Sequence, residues 1–292
     1  MATELPDGSK IKVIATDLDG TLLDSKGQVS ERTRTVIGKI LNKYPDLHFV
    51  ISTGRPRRGI LAIRKALGIE NRPNTECLVS NGCVVYDSNG NIISESILPK
   101  EYIIKVHNLL KPYPKALYSY TYENKMTTFD EGFGRILGQI MQESVNIEDK
   151  EEHIKKVISD EDSNINKISF FASGNKKEGE EILRILRELG KEFNLEYAEY
   201  SPTVVEYMPY QINKGTVLTQ FIKNLNISKD EVMAFGDGGN DIQLLQSAGW
   251  PVAMENARDV LKPYARLITK SNIEDGVADL LEKIFLKEDL KN

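Results

Sequence analysis

Cysteine is scarce in this sequence: two in 292 residues, Cys77 and Cys83. Their spacing fits no metal or redox motif, so both read as small core residues and a reducing, cytoplasmic setting is expected. Histidine is nearly as sparse, and His48, His107 and His153 stand at no metal-ligand spacing. No apolar run reaches the roughly 18 residues of a membrane span. Positive charge is not in excess either. The formal net charge is −5 and no Lys/Arg cluster forms a phosphate-backbone track, so no nucleic-acid partner is expected. The opening residues, Met1–Asp7, carry neither the basic nor the apolar stretch of an export signal. Internal repeats and low-complexity tracts are also lacking.

What is present is an ordinary globular composition, 40% hydrophobic and 28% charged, in a chain long enough for one large core or two smaller ones. The β-branched run Ile11-Lys12-Val13-Ile14-Ala15-Thr16 reads as a buried strand of a parallel sheet. Asp17-Leu18-Asp19-Gly20-Thr21 follows where that strand should end. Ser30 is placed to cap a helix over 31–43, and a second strand over 47–52 ends at Thr53-Gly54-Arg55-Pro56. A helix stopping at Gly68 and a strand over 77–80, ending at Asn81-Gly82, complete a strand–helix alternation. That alternation predicts a doubly wound, Rossmann-like, mainly parallel α/β sheet.

After Gly82 the pattern changes. Asn89-Gly90 between two apolar stretches signals a hairpin. Helices over 100–110 and 133–143 and around Ile182–Leu189 then alternate with strands over 116–122, 126–129, 167–172, 195–200 and 204–208. This block reads as an α+β domain, residues 86–209, inserted into a core made of 1–85 and 210–292. The α/β pattern resumes with a helix over 215–225 and a strand over 231–235 ending at Gly236-Asp237-Gly238-Gly239-Asn240-Asp241. Short strands at 252–254 and 266–268 and a helix over 273–286 close the chain, with 287–292 expected to fray.

Asp17 and Asp19, Thr53, Lys214, and Asp237 and Asp241 all fall at strand ends or a helix start, which share one edge in a parallel sheet. Several carboxylates at one spot repel each other and call for protonation or a cation. An all-oxygen site with few protein ligands suits Mg²⁺. Lys214, Thr53 and helix-start N–H groups can hold a phosphate beside it. Together these groups suggest phosphoryl transfer through an aspartyl-phosphate, with Asp17 attacking phosphorus and Asp19 moving the protons.

Asp17-Leu18-Asp19-Gly20-Thr21, Thr53-Gly54-Arg55, Lys214-Gly215 and Gly236-Asp237-Gly238-Gly239-Asn240-Asp241 resemble, in order, the four motifs of the haloacid dehalogenase superfamily. The insertion is similar to the type IIB cap of the Cof-like sugar phosphatases. So are Ser80-Asn81-Gly82, Ala253-Met254-Glu255-Asn256-Ala257 and the stretch from Ser271 to Val277. The resemblance implies Asp17 as nucleophile and Asp19 as acid/base. It implies Mg²⁺ on the Asp17 side chain, the Asp19 carbonyl and Asp237. Asp241 is then near the metal or orienting Lys214, and Asn240 near the phosphate. The expected activity is Mg²⁺-dependent hydrolysis of a small phosphorylated metabolite, sugar phosphates first, by a monomer or small homo-oligomer. A phosphomutase or a non-catalytic phospho-metabolite binder is the alternative.

Blander readings compete at several positions. Asn240 and Asp241 can instead cap the following helix. Arg55 reaches a substrate anion or is simply solvated. Asn81 contacts substrate with Thr53, Gly54 and Lys214, or only forms the turn with Gly82. Tyr118, Tyr120 and Tyr122 share a strand face that either walls a substrate or packs under helices. Lys155-Lys156 and Lys176-Lys177 read as solvated faces. Trp250-Pro251 departs from the family pattern and is expected to alter packing beside the site.

Overall fold

The computed structural model describes residues 4–122, 125–141, 143–159, 164–171, 176–201 and 203–287. It divides into two compact units: one of residues up to Gly54, Ile60–Ile93 and Asn213 onward, the other of Arg55–Gly59 with Ser94–Ile212.

The chain opens with β1 (Val13–Thr16), α1 (Glu31–Lys43), β2 (His48–Ser52), α2 (Arg58–Leu67), β3 (Cys77–Val79), β4 (Val84–Tyr86) and β5 (Ile92–Glu95). β1 is buried throughout, which is why it reads as a continuous apolar run rather than an alternation. Ser30 caps α1 by accepting the Thr33 N–H at 3.0 Å. The expected hairpin joins β4 to β5, with Gly90 at φ +89° and the Asp87 carboxylate accepting the N–H groups of Asn89 and Asn91. Cys77 and Cys83 are buried thiols.

The second unit follows: α3 (Lys100–Leu110), β6 (Leu117–Tyr122), β7 (Lys125–Thr128), α4 (Glu131–Met141), β8 (Val145–Ile147), α5 (Lys150–Ser159), β9 (Ile165–Phe171), α6 (Lys176–Glu192), β10 (Glu196–Ser201) and β11 (Val204–Met208). Its sheet runs β10-β11-β9-β6-β7-β8 and is antiparallel except for β7 with β8. Tyr118 and Tyr120 pack with Ile168, Phe170 and Tyr207 against apolar residues of α3, α5 and α6, and Tyr122 borders the same cluster. The tyrosine stripe is therefore core, as helices covering that face dictate. α4 lies on the opposite face, where Phe133 and Leu137 meet Met126.

Two elements in this unit were not anticipated, β8 and α5. β8 is three residues long and half exposed, and the described buried face of α5 is only His153, Ile154 and Val157, so neither leaves a strong periodic signal. His48 Nδ1 and His153 Nδ1 are hydrogen-bonded to Glu76 at 3.1 Å and Glu148 at 3.0 Å, and His107 Nε2 lies 3.2 Å from Glu151. Lys155 and Lys156 are exposed. Expectations for residues 1–3, Ala172, the Lys176 side chain and 288–292 lie outside the described residues.

The first unit resumes with α7 (Lys214–Asn224), β12 (Val232–Gly236), α8 (Ile242–Gln246), β13 (Trp250–Met254), β14 (Leu267–Thr269) and α9 (Gly276–Phe285). α9 starts later than its apolar pattern suggests because Asp275 takes a left-handed conformation, φ +56°, and interrupts the helix. The sheet order is β14-β13-β12-β1-β2-β3-β4-β5, parallel from β14 to β3, with β4 antiparallel to β3. The strand order therefore reverses about β1, the place where open α/β sheets bind ligands at their carboxyl ends.

One expectation needs correction. Trp250 pairs with Met233 at the beginning of β13 and β12, so Trp250-Pro251 lies at the edge of the sheet opposite the strand ends that carry Asp17 and Asp237. It does not pack beside the site. The Arg266 guanidinium instead stacks 3.7 Å over the Trp250 ring. Among the described residues no helix is long and apolar enough to cross a membrane.

Candidate active site

β1 pairs with β2 on one side and β12 on the other, with Thr16 opposite both Ile51 and Phe235. That register brings Asp17, Thr53 and Asp237 out along the same edge. The Asp17 N–H donates to the Phe235 carbonyl at 3.1 Å, extending the ladder one residue past β1. The chain then turns through Leu18–Leu22, closed by the Leu23 N–H on the Leu18 carbonyl. Gly20 sits in that turn at φ +79°, and a Cβ there would lie 2.3 Å from Asp237 Oδ2. Only glycine fits both demands. The Thr21 hydroxyl, next in line, donates to Asp237 Oδ1 at 3.1 Å.

Lys214 is the first residue of α7, aimed by tight packing of α7 on α8: a Cβ on Gly215 would collide with the Gln243 carbonyl at 2.0 Å. Asn213 caps the helix, its Oδ1 accepting from Gly215 N and Thr216 N at 3.0 and 2.9 Å. Fully buried, Lys214 Nζ donates to Asp17 Oδ1 and Asp241 Oδ1, each at 2.6 Å. The other oxygen of Asp241 accepts the N–H groups of Asp237 and Gly238 at 3.0 Å each. Asp241 therefore holds the loop that precedes it and makes no side-chain cap on α8.

Asp17, Asp237 and Asp241 each offer an oxygen within 4.8 Å of the others. Three carboxylates face one ammonium, a surplus of two negative charges. Burial pushes the Asp17 carboxyl well above its usual range; Lys214 pulls it down while Asp241, Asp237 and Asp19 push it further up. Burial, then repulsion from Asp241, raises Asp237 to about 6 against the Thr21 hydrogen bond and Lys214. Burial disfavours charge on Lys214, but Asp17 and Asp241 outweigh it and hold the ammonium more firmly than in an ordinary lysine. An oxygen-rich cluster with this charge deficit fits a divalent cation.

The other anticipated residues surround this cluster. Asp19 is exposed in the turn after β1. Thr53 is buried past the end of β2, its N–H on the Leu78 carbonyl, and its own carbonyl accepts the Asn81 N–H at 2.8 Å. Gly54 follows it in the same unit. Asn81, at φ +59°, takes a 3.3 Å hydrogen bond from the Asn240 amide and so joins two of the strand-end loops. Arg55 groups with the second unit, where its guanidinium donates to the carbonyls of Met141 and Gly59 at 3.1 and 3.3 Å.

Several supporting residues were not singled out from the sequence. Thr21 and Asn213 are two of them. Asn256 is another: its amide donates to the Gly20 carbonyl at 2.8 Å, and its Oδ1 accepts the Asn272 N–H at 2.9 Å. Asn272 in turn donates to the Leu23 carbonyl at 2.7 Å. These asparagines clamp the turn that carries Asp19. Thr21 stood in the first motif and Asn256 and Asn272 in the later matching stretches, but their bonds to Asp237, Gly20 and Leu23 each span more than 200 positions.

A doubly wound sheet with paired aspartates after its central strand, a buried lysine bridging two carboxylates and an inserted α+β unit defines a class of hydrolases. The chain belongs to the haloacid dehalogenase-like hydrolases, whose pattern matches residues 14–281, and it is an enzyme of the phosphatase type. It is 31% identical to the 5-amino-6-(5-phospho-D-ribitylamino)uracil phosphatase YcsE of Bacillus subtilis, over 92% of this chain and 93% of that one. Phosphatase YwpJ, also of Bacillus subtilis, is 27% identical over 94% of this chain and all of its own length. A haloacid dehalogenase-like hydrolase from B. subtilis superposes with a TM-score of 0.80 at 26% identity, covering 93% of this chain and 99% of that one.

Proposed function

We propose that this enzyme is a Mg²⁺-dependent phosphatase of small hydroxyl-bearing phosphate monoesters, working through a phosphorylated Asp17. The observation that carries the reading is the pair of hydrogen bonds that buried Lys214 donates to Asp17 and Asp241, with Asp237 beside them. In this scheme Asp17 Oδ attacks phosphorus, forming the aspartyl-phosphate as the ester P–O bond breaks. Asp19, exposed in the adjoining turn, gives its proton to the leaving oxygen. It then takes a proton from the water that attacks the intermediate, and Asp17 is released as carboxylate. Its different surroundings, open rather than buried, suit it to a different role from Asp17.

Asp17, Asp237 and the Asp19 carbonyl would hold the cation, which when bound supplies positive charge to the phosphoryl oxygens. Lys214 keeps Asp17 aligned and Asp241 keeps Lys214 in place. Thr53 and Asn240, with the N–H groups after β2, would receive the phosphoryl oxygens. Gly54, Arg55 and Asn81 are assigned to substrate contacts. The inserted unit, residues 86–209, is read as the cap that selects substrate. That the relative YcsE is named for a phosphate carried on a ribityl chain supports a polyol or sugar class.

The test is a panel of metabolite phosphate esters with and without Mg²⁺, ranked by kcat/KM for release of inorganic phosphate. Isomer formation from hexose phosphates without phosphate release would point to a phosphomutase and overturn the hydrolase assignment.

A further inference from the structure

On the helix-covered face of the second unit's sheet, a cavity of about 380 Å³ opens between the end of α3 and the start of α5. That volume falls within the roughly 300–1,000 Å³ of small-molecule sites. Leu110, Pro114, Tyr118 and Phe129 form its apolar wall. The Tyr118 and Phe129 ring centroids are 4.9 Å apart and the rings tilt by 48°, an arrangement that can take a further ring against its edge or face. Every lining residue belongs to the second unit, and α4, on the opposite face of the sheet, contributes none.

The polar wall carries both signs of charge: Lys111 and Lys150 against Glu148, Asp149 and Glu151. Two of these acids are engaged. Glu148 is hydrogen-bonded to His153 at 3.0 Å with Lys156 3.5 Å away, and the Asp149 carboxylate accepts the N–H groups of Glu151 and Glu152 at 2.9 and 3.0 Å. Glu151 Oε1 lies 3.2 Å from His107 Nε2 but off the direction of a hydrogen bond. Among the described residues that nitrogen has no hydrogen-bond partner, although His107 is only 7% exposed. A buried polar atom in that state calls for a partner. Lys150 Nζ stands 5.2 Å over the Tyr118 ring, and burial lowers its pKa while Asp130 raises it. A partly desolvated ammonium gains from an incoming carboxylate.

An anion alone would meet Glu151 in this cavity, and a cation alone would meet Lys111 and Lys150. A molecule with both charges finds its complement at each. We propose that the cavity binds an aromatic amino acid, with its carboxylate on Lys150, its ammonium on Glu151 and His107 Nε2, and its ring against Phe129 and Tyr118. The imidazole nitrogen accepts one N–H of the ammonium. This is a second binding site, beyond the phosphatase reading and independent of it.

The experiment is calorimetric titration of the full chain with L-phenylalanine, phenylacetate (no ammonium) and phenethylamine (no carboxylate). Wild type should bind phenylalanine at least tenfold more tightly than either analogue, because each leaves one charge of the cavity unmatched. Lys150→Met should weaken phenylalanine at least tenfold and leave phenethylamine no weaker. Glu151→Gln should weaken phenylalanine by a similar factor and leave phenylacetate no weaker. Both positions are partly or fully exposed, so the variants should keep the wild-type melting temperature. No saturable binding of phenylalanine by wild type up to about 10 mM overturns the site. Equal affinity for all three compounds, or failure of either variant to weaken phenylalanine, overturns it as well.

Discussion

Lys214 Nζ lies 2.6 Å from Asp17 Oδ1 although 197 positions separate the two residues. The same ammonium is 2.6 Å from Asp241 Oδ1, and Lys214 and Asp241 have no exposed surface. Removing one partner of a buried ion pair leaves uncompensated charge, which costs about 3–5 kcal/mol. Lys214→Met should therefore lower the unfolding free energy of the chelator-treated protein, read from its urea midpoint, by an amount in that range and abolish turnover. An unchanged midpoint would show that the carboxylates do not depend on the lysine.

Asp17→Asn preserves shape and removes the attacking oxygen. Hydrolysis of 4-nitrophenyl phosphate should fall by roughly a thousandfold or more, with the circular dichroism spectrum unchanged. Substantial residual hydrolysis would count against the nucleophile assignment.

Asp19→Asn should slow breakdown of the phospho-enzyme more than its formation when the leaving group is good. A good leaving group needs no proton, whereas the attacking water still needs a base. Rapid-quench measurement of both steps checks this, and equal slowing would contradict the dual role.

Three carboxylates against one ammonium predict that the cation stabilises the fold as well as the reaction. Chelation should abolish activity, and Mg²⁺ should restore it. At a concentration about 100-fold above its dissociation constant, Mg²⁺ should add about 2.7 kcal/mol to stability. A melting temperature indifferent to Mg²⁺ would argue against binding at this cluster.

The folded Glu143 carboxyl titrates at about 7, above its ordinary 4.5, because burial disfavours its charge. Between those values the folded state binds more protons than the unfolded state, so Glu143 lowers stability as pH rises and its full penalty is present above 7. Glu143→Gln should thus raise the melting temperature at about pH 8 and leave it nearly unchanged at about pH 4. An equal shift at both pH values would contradict the raised pKa.

Most of the first unit's order was legible because β1, β3, β4 and β12 are buried on both faces and α1 and α7 are capped by local chemistry. Ser30 and the Asn89-Gly90 turn act within a few residues of themselves. β8 and α5 escaped notice because a short, half-exposed strand and a helix with a narrow apolar face leave little periodicity. The tyrosine stripe shows the same limit from the other side. Its alternation marked a shared face, but whether helices or ligand covered that face depended on α3, α5 and α6.

The chain's own pattern determined the α/β alternation, the aspartates after β1 and the family, since each is written in contiguous residues. Only the tertiary structure decided that Asp241 bonds Lys214 and the preceding loop rather than capping α8, and that Trp250-Pro251 stands at the far edge of the sheet. It alone also shows that the oxygens of Glu143 are buried without partners. Each of these depends on contacts made between elements distant in sequence, and burial and pairing across such distances exist only once the sheets have closed.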